Sequence, residues 1–126
     1  MVLRRRADSV TDQLLEWAAS GSTLHVPAVW PLEIVNALAQ AVRRKRIPAD
    51  RAREFLEQLK LFSFQIDAAP TLADLPRLSE LAEKHQITSY DAAYLDLAVR
   101  LGLPLATQDD ALGKAAAASS VTLAQV

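Results

Sequence analysis

The sequence predicts an α/β fold, a three-layer α/β/α sandwich around a mostly parallel sheet, and three observations predict it. Short apolar runs alternate along the chain with segments of helical periodicity. The length of 126 residues suits a single domain with one core. Hydrophobic residues make up 51% and charged residues 23%, which excludes the disordered and low-complexity classes.

The elements follow in chain order. Asp8 to Ala19 reads as a short helix, with Val10, Leu14, Trp17 and Ala18 at helical spacing and a stop at Ser20-Gly21-Ser22. Thr23 to Val26 is a short apolar run closed by Pro27, a buried strand. Pro31 suits a first helical turn, and the helix it opens runs to about Arg44, with Trp30, Ile34, Leu38, Ala41 and Val42 inward. Ile47-Pro48 interrupts it. Ala49 to Leu59 is the next helix, and Phe62 to Ile66 is a second strand. Thr71 to His85 is helical, with Pro76 required to fall in its first turns. Thr88 to Asp91 reads as a capping box for a helix that runs to about Arg100 and stops at Gly102. Leu103 to Thr107 is a third strand, Asp109 to Ala118 an alanine-rich helix, and Val121 to Val126 a last strand.

Composition narrows the chemistry. There is no cysteine, so disulfides, thiolate zinc sites and cysteine nucleophiles are excluded. His25 and His85 are the only histidines, too few for a histidine-rich metal site. His25 reads as a packed or surface strand residue and His85 as a helix-end residue favoured by the dipole. Trp17 and Trp30 read as core or subunit contacts. No apolar run reaches the roughly 18 residues of a membrane helix, and acids interrupt the start where a signal peptide needs its apolar stretch. The expected compartment is the cytoplasm. The net charge of -1 argues against binding nucleic acid through bulk charge. Its distribution is uneven: residues 1–63 carry +3 and residues 64–126 carry -4. Half of the basic groups lie in Arg4-Arg5-Arg6 and Arg43-Arg44-Lys45-Arg46.

Three carboxylates sit where chemistry is plausible. Asp91 shares a helical face with the apolar Leu95 and Ala98, where an acid needs a cap, a partner or a metal. The bland alternative is the capping box itself. Asp109 follows directly on an apolar strand, at the edge where ligands gather in open parallel sheets. An ordinary N-cap accounts for it equally well. Glu33 borders the buried face of its helix, with Asn36 on the same side, and by itself reads as a first-turn acid. Three acids at three helix starts, converging, would suit a hard divalent ion.

The residues that carry a family resemblance are Val26-Pro27-Ala28-Val29-Trp30-Pro31-Leu32-Glu33-Ile34-Val35-Asn36, Ile87-Thr88-Ser89-Tyr90-Asp91-Ala92-Ala93-Tyr94-Leu95 and Leu103-Pro104-Leu105-Ala106-Thr107-Gln108-Asp109. In order and spacing they resemble the acidic motifs of the PIN-domain ribonucleases, in the VapC-like toxin branch. The resemblance covers residues from about 10 to 126. It implies endoribonuclease activity dependent on Mg²⁺ or Mn²⁺, a cytoplasmic toxin, a homodimer and a small antitoxin as partner. Position by position, it implies Glu33, Asp91 and Asp109 as catalytic and metal-binding acids. It places Asn36 and Thr107 as polar groups of the same cleft. Arg43, Arg44, Lys45 and Arg46 become candidate contacts for RNA or antitoxin, against the alternative of a solvated helix end.

One element departs from the pattern. The family opens with a hydrophobic strand ending in an aspartate. This chain begins Met1-Val2-Leu3-Arg4-Arg5-Arg6-Ala7-Asp8-Ser9, and three arginines do not suit a buried central strand. Asp8 lies 25 residues before Glu33, too close to be that aspartate. The expectation is therefore one PIN-like domain over residues 1–126, truncated at its N-terminus and lacking both the first strand and its acid. The alternative function is a degenerate PIN domain that binds antitoxin or RNA without cleaving. A receiver-type regulator or small phosphatase would need a first-strand aspartate and a late lysine that do not appear.

Overall fold

The computed structural model describes residues 1–4, 21 and 23–124. The expected helix over Asp8 to Ala19, with Trp17, lies outside the described residues. Four strands build one sheet: β1 (Val2–Arg4), β2 (Leu24–Val26), β3 (Phe64–Ile66) and β4 (Leu105–Thr107). Five helices accompany them among the described residues: α1 (Trp30–Arg43), α2 (Ala49–Leu59), α3 (Leu75–His85), α4 (Ser89–Leu101) and α5 (Asp110–Ala118). A 3₁₀ turn, Leu72–Asp74, leads into α3. The spatial order is β3-β2-β1-β4, and every pair is parallel. The predicted α/β architecture is the one observed.

The expectation that the chain lacks its first strand is overturned. Val2–Arg4 forms β1 and takes a central place, with Val2 opposite His25 on one side and Leu105 on the other. Val2 is 0% and Leu3 1% exposed. Neighbouring residues of a strand point to opposite faces, so both faces of the sheet are covered here. The arginine run was misleading because Arg4 sits in the strand. It stands at the carboxyl end, where a long side chain reaches past the sheet edge.

Helix boundaries follow local chemistry. Trp30, Ile34 and Leu38 form the buried stripe of α1, and the Trp30 ring stacks on Phe64 of β3 with centroids 4.8 Å apart. The core reading of Trp30 therefore holds. Pro76 falls in the first turn of α3, where its missing N–H leaves no bond unmade. Gly102 closes α4 at φ +64°, and Leu103 N–H returns to the carbonyl of Ala98 at 3.0 Å. Helix α4 is the most buried, with Ala92, Tyr94, Leu95, Leu97 and Ala98 in the core, and it packs on β1 and β4. Of the expected last strand, the described residues show one bridge, Leu123 to Leu105. The β4 edge gives it little more to pair with, since β4 has three residues.

Candidate functional site at the carboxyl edge of the sheet

Because all four strands are parallel, their carboxyl ends share one edge. Three chain segments deliver polar groups to it. Arg4 ends β1. Glu33 lies in the first turn of α1, the helix that follows β2. Thr107 ends β4 in register with Arg4, and Asp109 lies two residues beyond it. Asp91, in the first turn of α4, completes the set.

The capping box expected at Thr88 is only half made. Thr88 Oγ1 accepts from the Asp91 backbone N–H at 3.0 Å, which nucleates α4. The Asp91 carboxylate does not return the bond; instead its Oδ1 accepts from Arg4 Nε at 3.1 Å. Glu33 Oε2 accepts from Arg4 Nη1, also at 3.1 Å. The other oxygen of Glu33 accepts from the Tyr94 hydroxyl. The Arg4 guanidinium carbon lies 4.8 Å from the centre of the Tyr94 ring. One cation therefore holds two acids that are 58 positions apart in the chain, over an aromatic floor.

Electrostatics follow from this packing. Burial disfavours the charged guanidinium of Arg4, but Tyr94, Glu33 and Asp91 outweigh it, and its pKa is raised. Burial pushes the Tyr94 phenol well above its ordinary value, and the bond to Glu33 adds to the effect.

Asp109 serves a different purpose. Its Oδ1 accepts from Leu112 N–H at 2.8 Å and caps α5. Its own N–H donates to Thr107 Oγ1 at 3.1 Å. Both bonds are local, and the side chain faces solvent. Thr107 thus shapes the turn that carries Asp109. Asn36 lies on the exposed side of α1, three residues beyond Glu33. Arg43, Arg44, Lys45 and Arg46 are exposed at the far end of that helix, away from its Glu33 end.

Among the described residues, no three His, Cys, Asp or Glu side chains gather as a metal-binding group. The sequence reading missed Arg4 and Tyr94. Tyr94 was accessible to it, since it lies three residues past Asp91 and shares its side of α4. Arg4 was not, because its role needs β1 at the centre of the sheet.

A second charged cluster lies elsewhere. Asp96, 5% exposed, accepts from Arg77 Nε and from Arg100 Nε, each at 2.8 Å. Arg100 also pairs with Asp67, and Arg77 with Asp74. These groups border a cavity of about 530 Å³ that Pro27, Leu75 and Tyr90 also line.

Comparison with known proteins agrees with this fold. The PIN domain family pattern matches residues 3–118. Ribonuclease VapC3 of Pyrobaculum aerophilum is 31% identical over 104 residues, which span 82% of this chain and 79% of the relative. Ribonuclease VapC1 of Mycobacterium tuberculosis is 35% identical over 101 residues, 75% of this chain and 68% of the relative. The crystal structure of PAE2754 from Pyrobaculum aerophilum superposes with a TM-score of 0.72 at 25% identity, covering 90% of this chain and 77% of that one. The family pattern spans the positions of Arg4, Glu33, Asp91 and Thr107, and the chain belongs to the PIN-domain family, in its VapC-like branch.

Proposed function

We propose that this chain acts on RNA as a slow endoribonuclease of a toxin–antitoxin pair, with Glu33, Asp91 and Asp109 at its reaction centre. One observation carries the reading: Glu33 and Asp91 arrive from two helix starts and meet at a single positive charge on the carboxyl edge of a parallel sheet. Relatives named as ribonucleases support RNA as the substrate class. Asn36 and Thr107 flank the centre. A second copy of the chain and a small antitoxin are the proposed protein partners. No helix among the described residues is long and apolar enough to cross a membrane.

Phosphodiester hydrolysis needs positive charge near the phosphate oxygens and an acceptor for the proton of the attacking water. The family resemblance implies Mg²⁺ or Mn²⁺ for the first task. The residues as arranged do not fit such an ion. Glu33 and Asp91 already hold Arg4, the other oxygen of Glu33 holds Tyr94, and Asp109 is committed to its cap. Among the described residues, Arg4 is the cation facing both acids, and each of the three carboxylates already accepts a hydrogen bond. Slow turnover is the expected consequence. The same pairing favours a second reading, a domain that holds RNA or antitoxin without cleaving.

Incubating the purified chain with a long RNA, beside Asp91→Asn, separates the readings. Slow cleavage that falls by about 100-fold in the variant supports the first. RNA that is retained but stays intact for hours with both proteins moves the conclusion to the second.

The basic end of α1 provides a further check. If Arg43 and Arg44 follow an RNA backbone, changing both to alanine weakens binding to all sequences alike. It also reduces the salt slope of log K by about 0.7 per lost contact. Unchanged RNA affinity at low salt assigns this run to the solvent or to the antitoxin.

A further inference from the structure

We infer that Arg4 is a built-in counter-cation: its guanidinium occupies the space between Glu33 and Asp91 and keeps divalent metal out of the site. The inference rests on the reading of this cleft as the reaction centre. Three features of the structure carry it.

The first is geometry. Nε and Nη1 of one guanidinium each lie 3.1 Å from a carboxylate oxygen of a different acid. An ion bridging these two oxygens, Asp91 Oδ1 and Glu33 Oε2, would have to take the place of the guanidinium. The second is attachment. Arg4 ends a strand paired on both sides, with Val2 N–H held by the Pro104 carbonyl at 2.9 Å and Met1 carbonyl held by His25 N–H at 2.8 Å. The guanidinium is therefore always within reach of the acids. A tethered group competes at an effective concentration on the order of millimolar or more, whatever the metal concentration outside. The third is the strength of its contacts. To admit an ion, the side chain must give up two charge-assisted hydrogen bonds and its place over the Tyr94 ring. Its side chain is 28% exposed, so it can swing outward, but only by losing all three contacts.

The chemistry differs from that of a metal centre. A guanidinium supplies planar N–H donors and one charge, while a divalent ion supplies two charges and can bind water directly. The site thus keeps the charge balance that holds its acids together without a metal.

The test is Mn²⁺ binding, read by calorimetry and by the electron paramagnetic resonance signal of free Mn²⁺. It uses the full chain, Arg4→Gln, Arg4→Met and Arg4→Gln combined with Asp91→Asn. Glutamine and methionine keep much of the stem that packs against Tyr94, so two variants guard against loss of fold in one. The expected result is at least about tenfold tighter Mn²⁺ binding in either single variant than in the unaltered chain, abolished by adding Asp91→Asn. Equal Mn²⁺ affinity with and without Arg4 overturns the inference. So does tight, Asp91-dependent binding by the unaltered chain. RNA plays no part in this readout, so a chain that never cleaves RNA still gives an answer.

Discussion

Exchanging Arg4 for aspartate is expected to raise RNA cleavage by at least about tenfold in Mn²⁺ and to make it depend on that ion. The exchange removes the tethered cation and adds a third acid at the end of β1, beside Glu33 and Asp91. Without metal, three like charges would then face one another over a buried tyrosine. The variant should therefore melt below the parent in chelator and recover when Mn²⁺ is added. Adding Asp91→Asn to Arg4→Asp should return cleavage to the parent's rate or lower. A folded Arg4→Asp chain that binds Mn²⁺ and cleaves no faster would mean that Arg4 does not limit activity.

The second large effect concerns stability and lies away from the cleft. Asp96 is buried and joins Arg77 of α3 to Arg100 of its own helix. Replacing it with alanine removes the acceptor for both cations and enlarges the neighbouring cavity. Arg100 keeps Asp67, and Arg77 keeps Asp74, so neither is left wholly unpaired. These remaining contacts are near the surface and worth little. A fall in melting temperature of about 5–10 °C is expected for Asp96→Ala, with a smaller fall for Asp96→Asn, which retains an acceptor oxygen. Equal melting temperatures for all three proteins would show that α3 and α4 are held by apolar packing alone.

Much of the fold was legible because it rests on local signals. The bounds of α2 agree with the predicted Ala49 to Leu59, since Pro48 blocks its start and the buried Ala52 and Phe55 mark its inner face. Gly102 had to follow α4, because its backbone takes the left-handed conformation that a side chain disfavours. Strand β1 was hidden for a physical reason. Its apolar run is only Val2-Leu3 before basic residues begin, and it is stabilised by pairing with β2 and β4 from distant parts of the chain. Asp96 carried a local hint, its four-residue spacing from Arg100. Its partner on α3 depends on tertiary packing.

The acids show the same division. The spacing of Asp91 from Leu95 and Ala98 predicted a carboxylate turned inward, in need of a partner. The structure supplies that partner as an arginine. For Asp109 the sequence left a cap and a catalytic acid evenly matched. The structure shows the cap, made by one oxygen of a carboxylate at an exposed position. Nothing local distinguishes an acid that binds metal from one that binds a guanidinium. Both require the same inward carboxylate, and the difference is the residue at the end of a different strand.

The most direct test of the central claim is a crystal structure of the unaltered chain grown in several millimolar Mn²⁺, with anomalous scattering used to locate the ion. The expected map has no Mn²⁺ between Glu33 and Asp91, and the Arg4 guanidinium hydrogen-bonded to both. An anomalous peak coordinated by Glu33 and Asp91, with Arg4 turned out to solvent, would contradict it.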